Sequence, residues 1–166
     1  MSKEIERKYL FKGTPYDLLV LLNNVQPLRI EDYYLNETSR IRRIPGEEPV
    51  AYMCVKGKGT LVRDEWEYKL TDYPDYRGLP GVPLVKNRYK VFAENKWYEI
   101  NVYRDLPVIL VECEVEIKED TTDKFEVYFT GKLPKWVGRE VTKDKNFYNY
   151  ELWKTVQAKI KGEEVN

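Results

Sequence analysis

Histidine is absent from this chain of 166 residues, and that absence excludes a histidine general base, a serine-histidine nucleophile pair and the usual histidine-bearing zinc or iron sites. Carboxylate, lysine, arginine and tyrosine chemistry remains. Cysteine is scarce: Cys54 and Cys113 are the only two, neither in a CxxC unit, and each lies in a strand-like run. That pattern predicts two buried or half-buried thiols rather than a bridge, as suits a reducing compartment. Net charge is also missing, with 28 lysines and arginines against 28 aspartates and glutamates. No general affinity for nucleic acid or for an anionic membrane is therefore expected. No apolar run approaches the ~20 residues that span a bilayer, and Met1-Ser2-Lys3-Glu4 carries no signal-peptide core. The expectation is a cytoplasmic protein without membrane contact.

What the chain has in quantity is alternation. With 42% hydrophobic residues it suits a single domain over residues 1–166 with a real core. Strand patterns run over Lys3 to Phe11, Leu28 to Leu35, Arg40 to Ile44, Val50 to Lys58, Val62 to Thr71, Val85 to Ala93, Lys96 to Arg104 and Ile109 to Lys118. Thr14-Pro15 reads as an N-cap followed by proline at the first helical position, opening a short helix through Leu18, Leu19 and Leu22. Glu94-Asn95 reads as a tight hairpin turn, and 72–83 as an ordered excursion anchored by Tyr73, Tyr76 and Leu79 that caps one end. Apolar residues at near-helical spacing predict a C-terminal helix at about 146–161. Strands joined by short turns imply a closed antiparallel barrel or a sandwich.

Residues two apart in a strand share a face. Ile5, Tyr9, Ile41, Met53, Val55, Trp66, Tyr68, Tyr89, Ile100, Val102, Cys113, Val115 and Ile117 make one apolar set. Opposite it stand a basic set, Lys8, Arg40, Arg42, Lys56, Arg63, Lys86 and Arg88, and an acidic set, Glu4, Glu6, Glu65, Glu67, Glu99, Glu112 and Glu114. On one strand alone such a face is ordinarily just solvated. If helices cover the apolar side instead, the charged faces converge on a polar tunnel, where ions must pair or meet a neutralising ligand. Arginine's planar fork suits phosphate oxygens. Mg²⁺ or Mn²⁺ takes carboxylate oxygens on one side and phosphate oxygens on the other, so a metal-chelated polyphosphate satisfies both sets.

Glu4-Ile5-Glu6-Arg7-Lys8 resembles the ExExK signature of the CYTH superfamily, the triphosphate tunnel metalloenzymes. The motifs that follow keep that family's order: Arg40-Ile41-Arg42, Val55-Lys56-Gly57, Arg63-Asp64-Glu65-Trp66-Glu67-Tyr68, Lys86-Asn87-Arg88-Tyr89, Trp97-Tyr98-Glu99-Ile100-Asn101 and Glu112-Cys113-Glu114. Trp136-Val137-Gly138-Arg139-Glu140-Val141-Thr142, with Asp144, Phe147 and Asn149, is similar to the WLGxEVTxDxxYxN segment of bacterial members. The resemblance implies an α+β, mainly β fold: an eight-stranded antiparallel closed barrel with a charged interior and helices packed outside. It also implies cleavage of triphosphates with Mg²⁺ or Mn²⁺. Lys8, Arg40, Arg42, Lys56, Arg63, Lys86 and Arg88 would hold phosphates, and Glu4, Glu6, Glu67, Glu99, Glu112 and Glu114 the metal. Glu6, Lys8, Tyr34 and Glu65 are the candidate catalytic residues for in-line attack of a metal-activated water.

Three departures mark this chain. Asn101 stands where many members carry aspartate, Asp32 where a glutamine is common, and the 72–83 excursion is long. Inorganic tripolyphosphate is the first expected substrate, with a nucleoside triphosphate next. A class IV-type adenylyl cyclase, a thiamine triphosphatase and a non-catalytic nucleotide- or polyphosphate-binding module are the alternatives. A small-molecule triphosphate is the expected partner, no nucleic acid is required, and the outer wall allows a homodimer.

Overall fold

The computed structural model describes residues 2–57, 62–114, 116–117, 128–129 and 131–165, with side chains over 6–57, 63–114 and 131–162. Ten consecutive extended residues form β1 (Ser2–Phe11). Helix α1 (Pro15–Leu21) then starts as its sequence predicts: Thr14 Oγ1 accepts from Asp17 N at 3.1 Å, and Thr14 N donates to Asp17 Oδ2 at 2.8 Å. This reciprocal cap satisfies two otherwise orphaned donors. A meander of β2 (Leu28–Asn36), β3 (Ser39–Ile44), β4 (Val50–Lys56) and β5 (Val62–Lys69) follows. Next come β6 (Leu84–Ala93), β7 (Lys96–Tyr103) and β8 (Ile109–Glu114). Between β6 and β7, Glu94 and Asn95 take φ of 49° and 60°, as a primed two-residue hairpin requires. A small separate pair joins β9 (Glu116–Ile117) to β10 (Tyr128–Phe129). The chain ends in β11 (Val137–Glu140) and α2 (Asn149–Val165).

The main sheet has nine strands in the order β11-β1-β5-β4-β3-β2-β6-β7-β8, all paired antiparallel, and β8 pairs again with β1. Strand β1 is shared along its length: Ser2 to Ile5 pair with β5, Glu6 to Leu10 with β8, and Tyr9 and Phe11 with β11. Pairing therefore leads from β1 through seven other strands and back to β1. Among the described residues the fold is mainly β with two α-helices, and in the main sheet the expected eight strands are joined by a ninth.

Two apolar clusters sit on opposite faces. Under α1, Tyr9, Tyr98, Ile100, Val111 and Cys113 are buried together with Leu18, Leu21, Leu22 and Trp136 packed on them. These strand residues alternate with the charged ones, so α1 covers the apolar face as expected. The second cluster joins Leu152 and Val156 of α2 to Leu84, Tyr103 and Leu110. Leu84 lies two residues from Lys86, Tyr103 two from Asn101 and Leu110 two from Glu112, so these three share the charged face. Only α1 fits the expectation that helices pack outside; α2 covers one end of the charged face, because the inward residues turn apolar there.

Several boundaries differ from the sequence reading, each with a local cause. Helix α2 begins at Asn149, since Asp144 first caps a 3-10 turn over Lys145–Phe147 by accepting from Asn146 N at 3.1 Å. Strand β11 is too short to show alternation, and it is set by close approach: a Cβ on Gly138 would meet the Leu10 carbonyl oxygen at 2.8 Å. In the excursion, Tyr73 packs under the Arg43 guanidinium at 4.9 Å, whereas Tyr76 is exposed. Its far end does lead to the α2 cap: Gln157 Oε1 accepts from Val82 N at 2.9 Å, and the Val82 carbonyl accepts from Gln157 Nε2 at 2.7 Å and Trp153 Nε1 at 3.0 Å. The side chains of Glu4, Ile5, Val115 and Ile117, and residues 58–61, lie outside the described residues. Among the described residues no helix is long and apolar enough to cross a membrane.

Candidate functional site

Register assembles the centre of the charged face. The β2–β3 ladder sets Asp32 opposite Arg42 and Tyr34 opposite Arg40. Asp32, wholly buried, accepts from Arg42 Nε at 2.8 Å and Nη2 at 3.0 Å, while Arg40 Nε stands 3.9 Å away. Burial alone would raise the Asp32 carboxyl, but the two guanidiniums overcome it and hold the group well below the usual carboxylate range. Arg40 Nη1 donates to the Tyr34 hydroxyl at 3.2 Å. Burial pushes that hydroxyl up against the opposing pull of Arg40, so it stays protonated at neutral pH. Arg40 Nε itself is buried with no hydrogen bond among the described residues.

Strand β6 supplies the next cations. Lys86 is 1% exposed, and its ammonium sits 5.7 Å from the Tyr103 ring centroid. Burial, then Arg88 and Arg42, push its pKa well below that of an ordinary lysine; Asp32 and Glu112 only partly oppose this. Arg88 Nε lies 3.0 Å from Glu99 Oε2 and donates to Asn101 Oδ1 at 3.0 Å. Tyr103 donates to Asn149 Oδ1 at 2.6 Å, fastening the capping helix to this face.

The acidic side centres on β1 and β8, where Lys8 pairs with Glu112 and Glu6 with Glu114. Lys8 Nζ lies 3.9 Å from Glu112 Oε1 and donates to the Phe147 carbonyl at 3.2 Å. Burial would raise the Glu112 carboxyl, but Lys8, Lys86, a hydrogen bond with Glu6 and Arg88 bring it well below the usual range. Glu112 Oε1 is nonetheless buried without a hydrogen bond among the described residues. Among the described residues no three acidic or thiol side chains gather as a ready metal centre. Glu6 and Glu112 do supply adjacent carboxylate oxygens with one acceptor unused, which suits Mg²⁺ or Mn²⁺, ions bound through one or two carboxylates plus water and phosphate oxygens.

The structure thus brings together Glu6, Lys8, Tyr34, Arg40, Arg42, Lys86, Arg88, Glu99 and Glu112 from the expected set. Lys56, Arg63 and Glu65 lie on the same face around β4 and β5, half-buried, with Lys56 opposite Glu65. Glu67 and Glu114 are exposed; Glu67 lies 4.0 Å from the buried Cys54 thiol. Glu4 shares that face by backbone register opposite Arg63, but its side chain lies outside the described residues. Both cysteines are free and buried, as predicted. Sequence reasoning left Asp32, Asn101 and Tyr103 out of the site. Their signal was present in the alternation: Asp32 and Tyr34 face Arg42 and Arg40, and Asn101 faces Arg88.

Fold and face together define an antiparallel β protein that buries ions on one side of its sheet and apolar residues on the other and at one end of the charged side. Comparison with known proteins adds the relationship. The chain is 31% identical over 157 residues to an inorganic triphosphatase of Nitrosomonas europaea, covering 90% of this chain and 95% of that protein. It is 28% identical over 168 residues to an inorganic triphosphatase of Acetivibrio thermocellus, covering 97% and 99%. The chain belongs to the family of the Nitrosomonas europaea protein. No family model matches it, and no solved structure does.

Proposed function

We propose that this chain is a divalent-metal-dependent triphosphatase of the CYTH type, with inorganic tripolyphosphate as its first substrate. The observation that carries this reading is the gathering of buried Arg40 and Lys86 with half-buried Arg42 and Arg88 on one face, where burial and then the neighbouring Arg88 and Arg42 hold Lys86 well below its ordinary pKa. A triphosphate supplies that charge. The names of the two relatives support the same chemistry. The β8–β1 pairing, and the burial of ions on the face opposite α1, support a closed tunnel around the substrate.

Asp32 occupies the Nε and Nη2 edge of Arg42, leaving Nη1 and the second Nη2 hydrogen for phosphoryl oxygens. Arg40, Arg88, Lys86, Lys56 and Arg63 neutralise the remaining oxygens as charge develops. Lys8, positioned by the Phe147 carbonyl, and the protonated Tyr34 hydroxyl donate to the leaving oxygen or to the attacking water. Glu6 and Glu112 hold the metal, with Glu4, Glu67, Glu99 and Glu114 along the same face and Glu65 as the proton acceptor. Mg²⁺ or Mn²⁺ held by these carboxylates would supply Lewis-acid charge and an activated water.

One observation favours a second reading, polyphosphate binding without cleavage: no three-ligand acidic cluster is present among the described residues. A panel of tripolyphosphate, ATP, GTP and thiamine triphosphate, each with Mg²⁺ and Mn²⁺, separates the two. Orthophosphate release, fastest from tripolyphosphate, is the expected result. Binding without metal-dependent release would establish the second reading, and cyclic AMP from ATP would make the chain a cyclase.

A further inference from the structure

We propose that the Asn101 side-chain amide is a phosphate-binding donor, forming with Arg88 one subsite for a phosphoryl oxygen of the triphosphate. This subsite rests on the triphosphate reading above and adds to it a residue that reading leaves unused. Asn101 is 0% exposed, in the middle of β7 and opposite Arg88. Its Oδ1 accepts from Arg88 Nε at 3.0 Å. Arginine can only donate, so this bond decides which end of the amide faces it and turns the two Nδ2 hydrogens elsewhere. Nδ2 finds no acceptor among the described residues.

A buried donor left unpaired is costly, and native structures rarely keep one without a reason. Its surroundings say which acceptor fits. Arg88 adjoins it, and Lys86 lies two residues before Arg88 on the same face. An unused buried donor beside these cations calls for an oxygen-rich anion. An aspartate of the same shape would hold Arg88 at least as well, yet it would offer no donor and would repel that anion. Asn101 therefore does more than position Arg88.

The test is binding of tripolyphosphate with excess EDTA, followed by calorimetry for wild type and Asn101→Asp and by the ¹⁵N-resolved side-chain amide signals of the wild-type protein. Binding is expected to weaken about tenfold or more in Asn101→Asp, as for loss of a hydrogen bond to a charged group. The Asn101 amide signal in wild type should move on saturation, a readout that stands even if the variant fails to fold. Wild-type binding with an unmoved amide signal, as for a donor satisfied by resident water, overturns the subsite and leaves the triphosphate reading intact. So does equal affinity of the two proteins. No wild-type binding in EDTA overturns the subsite, and absence of binding and of phosphate release with Mg²⁺ and Mn²⁺ restored overturns the triphosphate reading as well.

Discussion

Asp32 shows how a single residue is shaped by its partners. Its carboxylate is fully buried, so its stability contribution depends on remaining ionised beside Arg42 and Arg40. A folded-state pKa lowered below the unfolded value, ~3.9, contributes stability that is present above that value and lost as pH falls through it towards the folded pKa. Urea midpoints should therefore hold steady from neutral pH to about pH 5 and fall below about pH 4. Asp32→Ala, which strands two buried guanidiniums, should cost about 3–5 kcal/mol in the same measurement. Lys86 carries the opposite sign. Its lowered pKa marks a buried charge that opposes folding, so Lys86→Met should raise the thermal midpoint of the ligand-free protein while cutting turnover by ~100-fold or more. A lower midpoint with normal turnover would remove Lys86 from the site.

At the scale of elements, the segment after residue 131 supports the site rather than forming it. Strand β11 approaches β1 closely enough that Val141 N donates to the Lys8 carbonyl at 2.8 Å, and Lys8 N donates to Thr142 Oγ1 at 3.1 Å. Gly138 permits that approach. Gly138→Ala should push β11 off β1, costing about 1–3 kcal/mol in thermal unfolding and weakening tripolyphosphate binding through Lys8. Helix α2 is held by Leu152 and Val156 against the apolar end of the charged face. Leu152→Ala should cost about 2–5 kcal/mol, read by urea unfolding. Alternation revealed β1 to β8 because each strand carries an apolar and a charged face. The four residues of β11 give periodicity nothing to work on, and close backbone contact is a relation between segments rather than a local pattern.

For the molecule as a whole, the cations of the charged face make stability and ligand binding one problem. Any anion that binds the folded state alone should raise the thermal midpoint, by about 2.7 kcal/mol in stability at a hundredfold excess over Kd. Tripolyphosphate should do this in EDTA, where phosphate release is abolished, and differential scanning fluorimetry with a phosphate assay checks both halves. Release persisting in EDTA would separate catalysis from the metal.

Arginine, lysine and glutamate at alternate positions were enough to identify the strands, their charged face and most of the residues that gather on it, because side-chain direction in a strand is a local consequence of the backbone. Which charges would be buried together was not local. Asp32 came to neutralise the arginines, Glu67 and Glu114 ended exposed, Asn101 kept an unused donor, and α2 closed an end rather than a side. Each outcome depends on register and on the return of β8 to β1, which bring together residues far apart in the chain.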